Sequence, residues 1–141
     1  MPEELPDTRK ELVVRSEFEN LDSVVQETED FVRLHEGDDD VVYNIMLLTS
    51  EAVTNAMEHG NGLDPSKEVK IAFEAGTDHL IISVQDQGNG FSEEGVPNPL
   101  DDENLLAEGG RGLYLMHALA DEIRYEDGGR RVVMRFSRSG K

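Results

Sequence analysis

The sequence predicts an α+β fold, a two-layer sandwich with helices on one face of a mostly antiparallel sheet, and three observations lead there. Segments 11–18, 67–73, 79–85, 123–125 and 131–136 are β-branched or alternate apolar with polar, as strands with one buried face do. Two other segments repeat apolar residues at three- and four-residue steps, the period of a helix laid on a core. Turn clusters Ala75-Gly76-Thr77-Asp78 and Asp127-Gly128-Gly129 join strands directly, which favours antiparallel hairpins over crossover connections.

At 141 residues the chain has room for one core. Thirty-one acids against thirteen bases give a net charge of -18, so a nucleic-acid backbone or an anionic membrane would repel it. Cysteine is absent, which removes disulfides and thiolate metal sites. No window approaches the roughly 18 apolar residues of a membrane span, and Met1-Pro2-Glu3-Glu4-Leu5-Pro6-Asp7 lacks the regions of a signal peptide. The expectation is a soluble cytoplasmic protein. Only four of the bases are lysine, and so acidic a surface also suits a salt-adapted source.

In chain order, residues 1–10 read as a leader and 11–137 as a single domain. After the first strand, Asn20 or Asp22 caps a helix carrying Val24, Val25, Thr28, Phe31, Val32 and His35. Gly37 ends it, and Asp38-Asp39-Asp40 opens the next, where acids complement the helix dipole; a metal cluster is the sharper alternative. That second helix is expected from Val41 to Glu58, broken by His59-Gly60-Asn61-Gly62. Val41, Ile45, Leu48, Ala52 and Ala56 form its apolar stripe, while Glu51, Asn55 and His59 line a polar one at i, i+4 and i+8. The 67–73 and 79–85 strands form a hairpin that delivers Asp86-Gln87-Gly88-Asn89-Gly90-Phe91. A polar loop with Pro97 and Pro99 follows, and long loops in compact domains are usually functional. Gly109-Gly110-Arg111-Gly112 then runs into an apolar helix from Leu113 to Ala120. A last hairpin and a tail, 138–141, complete the chain.

Three chemically loaded sites need one explanation: a Glu and an Asn one helical turn apart, an Asp before Gly-x-Gly, and a glycine turn at a helix start. A nucleotide supplies it. A buried Asp accepts a hydrogen bond from an exocyclic amine, a glycine turn at a helix N-terminus holds phosphates, and a carboxamide suffices for Mg2+, which prefers oxygen ligands and keeps several waters. There is no Gly-x-x-x-x-Gly-Lys-Ser/Thr segment, so this is not a P-loop.

At this point a resemblance can be named. Glu51-Ala52-Val53-Thr54-Asn55-Ala56-Met57-Glu58-His59-Gly60 resembles the N box of the GHKL ATPase superfamily, Asp86-x-Gly88-x-Gly90-Phe91 its G1 box, and Gly110-Arg111-Gly112-Leu113 its G2 box. Within that superfamily the chain looks like the bacterial anti-sigma factor serine/threonine kinases, with Asn55-Ala56-x-x-His59-Gly60 and Val96-Pro97-Asn98-Pro99 as the closer signals. The resemblance implies the Bergerat fold and ATP with Mg2+ as cofactors. Glu51 would be the general base, Asn55 the Mg2+ ligand and Asp86 the reader of the adenine amine, with Gly88 and Gly90 admitting the base and sugar. Residues 92–109 would form the ATP lid, with Gly110, Arg111, Gly112 and Leu113 around the phosphates and Arg111 stabilising the transferring phosphoryl. His59 would cap or orient the helix end.

The family often has Gly-Thr where this chain has Gly129-Arg130, a departure that bears on the adenine site. The implied activity is phosphorylation of a STAS-domain antagonist by a homodimeric kinase that also binds a sigma factor. The alternatives are an ATP-binding switch without kinase activity and the detached ATP domain of a sensor histidine kinase. No phospho-acceptor His segment precedes the domain, which argues against a complete histidine kinase.

Overall fold

The computed structural model describes residues 8–88 and 119–139. Strand β1 (Arg9–Arg15) is followed by a 3-10 turn (Phe18–Asn20), helix α1 (Leu21–His35) and helix α2 (Asp39–Asn55). A π-turn (Ala56–Gly60) extends α2, and strands β2 (Glu68–Ala75), β3 (His79–Gln85), β4 (Glu122–Glu126) and β5 (Arg131–Ser137) complete the described elements. The five strands lie in the order β1-β2-β3-β5-β4, every neighbouring pair antiparallel. Two helices on one face of this sheet make the α+β sandwich that the alternating and helical patterns predict.

The period-2 pattern is realised on β2 and β3: Val69, Ile71 and Phe73, then Leu80, Ile82 and Val84, are all buried beneath the helices. They meet Val24, Phe31 and Val32 of α1 and Val42, Ile45, Leu48, Ala52 and Val53 of α2. Phe31 stacks on Phe73 with ring centroids 5.4 Å apart, tying the first helix to the second strand. Each fully buried aliphatic or aromatic side chain here contributes about 1.5–3 kcal/mol of transfer free energy. Thr28, buried among them, satisfies its hydroxyl by donating to the Val24 carbonyl at 2.7 Å. The opposite face of the sheet carries exposed ion pairs such as Arg9 with Glu74 at 2.7 Å and Arg135 with Glu122 at 3.8 Å, which keep it wet and add little stability.

Three of the boundary shifts from expectation have a clear physical cause. β1 begins at Arg9, so Arg9 and Lys10 belong to the sheet, where Arg9 pairs with Glu74 and Lys10 with Glu27. The segment stops at Arg15 because Phe18–Asn20 turns into α1, with the Asn20 side chain donating to the Arg15 carbonyl at 3.0 Å in place of a helix cap. α2 starts at Asp39, two residues early, because the Asp38 carboxylate accepts from Asp40 and Val41 N–H groups. That capping role is what the acidic run does: among the described residues no group of three or more His, Cys, Asp or Glu is placed to hold a metal.

The first two residues of the expected tail are also tied down. Arg138 donates its N–H to the Asp78 carbonyl at 3.0 Å and its guanidinium to the Gly76 carbonyl at 2.6 Å. Glu36, only 4% exposed, accepts from the Ser139 and Asp38 N–H groups, each at 2.9 Å, and from the Ser139 hydroxyl. Burial pushes the Glu36 carboxyl up, but the hydrogen bonds from Ser139 and Asp38 and the charge of Arg138 outweigh it and hold the group below the ordinary glutamate range. A depressed carboxylate stabilises the fold above its unfolded-state pKa, and that contribution disappears as pH falls through the folded value. Glu36→Ala is expected to cost about 1–3 kcal/mol in urea unfolding at pH 7. The gap from wild type should narrow as the buffer is taken below the ordinary glutamate pKa; a gap that stays constant with pH contradicts the ionised clamp.

Candidate functional site

Glu51 and Asn55 sit one turn apart on the last two turns of α2, both half-buried, as their i, i+4 spacing requires. The α-helix ends at Asn55 and widens into the π-turn, closed by the Asn61 N–H to the Ala56 carbonyl at 2.8 Å. Single π-turns of this kind occur often at functional sites. The widening breaks the register that would have kept His59 on the polar stripe. The His59 side chain is 66% exposed beside Glu58 at 3.6 Å, and it is Asn61 that closes the helix end. The capping role expected of His59 therefore belongs to Asn61.

The π-turn delivers Gly60 directly onto Asp86, the residue after β3. A Cβ added to Gly60 would lie 2.2 Å from Asp86 Oδ2, and one added to Gly88 would lie 1.7 Å from the Gly60 carbonyl oxygen. At Gly88 the obstacle is backbone, so glycine is a packing requirement there; at Gly60 it is the Asp86 carboxylate, which a side chain would displace. Asn61 locks the same junction from below. It is 3% exposed, donates to Ser16 Oγ at 2.7 Å and to the Glu68 carbonyl at 3.0 Å, and accepts from the Gln87 N–H at 2.8 Å. One side chain thus joins the ends of β1, β2, β3 and α2. Gln87 adds a return bond, accepting from the Glu68 N–H at 2.7 Å.

Asp86 itself is 9% exposed and points its carboxylate into this junction, accepting from the Gly88 N–H at 2.8 Å. Burial pushes its carboxyl above the ordinary aspartate range against the Gly88 hydrogen bond and the charges of Arg130 and Lys67, while the nearby Asp127 adds to the rise. A carboxylate buried at a cost in solvation and accepting from Gly88 alone among the described residues has capacity left to accept from a donor such as an amine. The residues present thus fit the base end of a purine nucleotide: a buried acceptor, flanked by two positions where only backbone fits. Glu51 and Asn55 supply oxygen donors of the kind a hard cation takes.

Of the residues expected at the site, the structure brings Asp86 and Gly88 together with Gly60 at the end of the helix that carries Glu51 and Asn55. Gly90, Gly110, Arg111, Gly112, Leu113 and the 92–109 segment lie outside the described residues. Two residues of the junction were not singled out from sequence. In sequence Asn61 is only part of a helix-breaking run, although an Asn between two glycines is a turn signal whose side chain can bond main chain. Arg130, a departure from the family pattern in sequence, donates Nε–H to the Gly88 carbonyl at 2.9 Å.

The family profile described as a histidine kinase-like ATPase domain matches residues 14–136. Among known proteins, the serine-protein kinase RsbW of Bacillus licheniformis is 38% identical over 93 residues, covering 62% of this chain and 58% of that protein. RsbW of Bacillus subtilis (strain 168) is 36% identical over 94 residues, 62% of this chain and 59% of that protein. RsbW of Staphylococcus epidermidis is 34% identical over 103 residues, 67% and 65% respectively. The chain spans about three-fifths of the length of these relatives. No described helix is long and apolar enough to cross a membrane.

The glycine contacts yield a matched pair of variants. Gly88→Ala is expected to destabilise the protein by about 1–3 kcal/mol, because the added methyl meets backbone that cannot move aside. Gly37→Ala, where an added Cβ meets nothing within 4 Å, should stay within about 0.5 kcal/mol of wild type. Thermal unfolding of both variants checks this; equal melting temperatures would refute the close approach.

Proposed function

The chain belongs to the histidine kinase-like ATPase domain family, and from that membership we propose that it is a Mg-ATP-dependent protein serine/threonine kinase of the anti-sigma type. The observation that carries the nucleotide half of this reading is the buried Asp86 carboxylate packed against Gly60 and Gly88. The serine-kinase half is supported by the names of the relatives and by Glu51, retained one turn before Asn55.

In this reading Asp86 accepts from the adenine amino group, and Gly88 and Gly90 let the base and sugar lie against main chain. Asn55 offers its carboxamide oxygen to Mg2+, which when bound would neutralise phosphate charge. Gly110, Arg111, Gly112 and Leu113 hold the phosphates, and residues 92–109 cover them. Glu51 takes the proton from a serine or threonine hydroxyl as that oxygen forms its bond to the γ-phosphorus and the bond to the ADP oxygen breaks. Arg111 offsets charge on the phosphoryl in flight.

The substrate proposed is a small STAS-domain antagonist, and the second partner a sigma factor, both reached in the cytoplasm by a homodimer of this chain. The net charge of -18 accords with a protein partner, since a nucleic-acid backbone would be repelled.

The test is transfer of label from γ-phosphate-labelled ATP with Mg2+ in an extract of the source organism, for wild type and Glu51→Gln. One small protein should become labelled in an acid-stable form, with transfer falling by at least about 100-fold in the variant while ADP still binds. Acid-labile label would point to phosphohistidine instead. Bound ATP with no labelled protein would leave a nucleotide-gated binding module.

A further inference from the structure

Arg130 grips the Asp86-Gln87-Gly88 turn from two sides. Its main-chain carbonyl accepts the Asp86 N–H at 2.9 Å, and its Nε donates to the Gly88 carbonyl at 2.9 Å. The guanidinium is in turn anchored by Nη1, which donates to the Asp127 carbonyl at 3.2 Å and lies 3.6 Å from Asp127 Oδ1. What aims the side chain this way is the β4–β5 connection. Asp127, Gly128 and Gly129 take φ of 55°, 66° and 91°, a run of left-handed backbone that folds the chain back under Gly88. A planar guanidinium held at two of its nitrogens has its orientation fixed, which an ammonium on a flexible stem does not.

We propose that Arg130 is a positioning residue for nucleobase recognition, fixing the Asp86–Gly88 turn through its two bonds to it and placing a cation near the Asp86 carboxylate. The proposal rests on the adenine-nucleotide reading, with Asp86 as the contact residue and Arg130 acting through it. Among the described residues, the charged groups whose fields reach Asp86 are Arg130 and Asp127 from the β4–β5 connection and Lys67 from the segment before β2. The π-turn packed against it contributes Gly60, its own Glu58 and His59 being exposed. Arg130 is the cation that is also bonded into the turn, so it couples the geometry of the acceptor to its charge.

The experiment uses the whole chain as wild type, Arg130→Ala and Arg130→Lys. The Asp86 side-chain carboxyl is titrated by carbon-detected NMR without nucleotide, and ADP affinity is measured by calorimetry across pH. In Arg130→Ala the Asp86 midpoint should move up and ADP should bind about tenfold more weakly at neutral pH, as expected for loss of a hydrogen bond within a charged network. The acid limb of ADP binding should shift to higher pH with it. Arg130→Lys keeps the charge but not the planar donor, so its Asp86 midpoint should match wild type while the loss of affinity remains. If Arg130→Ala does not fold, the lysine variant alone still separates the two contributions. An Asp86 midpoint unmoved in Arg130→Ala, or a loss of affinity equal at every pH, overturns the proposal and leaves Arg130 a brace of the fold. A wild-type chain that binds no ADP overturns the nucleotide reading, and the midpoint shift still reports on the Arg130–Asp86 link by itself.

Discussion

The end of α2 and the end of β3 approach each other so closely at Gly60 and Gly88 that neither residue has space for a Cβ. Everything proposed for this site depends on that contact. It places the main chain of a helix terminus against the carboxylate of Asp86, creating a buried acceptor bounded by backbone on two sides. The contact is stiff because its surroundings determine it more than once. The π-turn sets the height of Gly60, Asn61 bonds to three neighbouring segments, and Arg130 holds the far side of the Gly88 peptide. Interiors this closely packed do not yield gradually, so loss of any one support should shift the carboxylate rather than merely loosen it.

In the proposed reading, Asp86 sets a functional demand against stability. Its carboxyl is pushed above the ordinary aspartate range by burial, so at neutral pH the ionised group makes the folded chain less stable than a neutral one would. Arg130 and Lys67 offset part of this and Asp127 adds to it. Glu36 is the contrasting case: buried too, yet surrounded by donors from Ser139 and Asp38 that more than compensate, and held below the ordinary range. A carboxylate fully supplied with donors is structural. One left with accepting capacity is available to a ligand.

The two-layer architecture was legible because alternation on β2 and β3 and the helical stripe of Ile45, Leu48 and Ala52 are strong local signals that packing obeys. Asp86 and Gly88 stand out in the sequence for a different reason, as the residues that carry the resemblance to the G1 box, and the structure joins them by the Gly88 N–H donating to the Asp86 carboxylate. The π-turn was not legible: an i to i+5 bond has no residue signature, and the segment reads as ordinary helix until tertiary packing widens it. Asn61 was hidden because its value lies in reaching Ser16, Gln87 and Glu68 from separate parts of the chain. The early start of β1 was hidden for a related reason, since Arg9 and Lys10 join the strand through cross-element pairs with Glu74 and Glu27 that a local pattern does not contain.

The measurement that tests the central claim most directly is ADP binding by calorimetry to wild type and Asp86→Asn, with the melting temperature of each recorded alongside. The account predicts that wild type binds ADP, that the variant loses most of that affinity because its amide oxygen is taken by the Gly88 N–H and its NH2 then faces the adenine amine, and that it melts no lower than wild type because a buried charge has been removed. Retained ADP affinity in a well-folded Asp86→Asn protein would contradict the assignment of this carboxylate as the nucleobase contact.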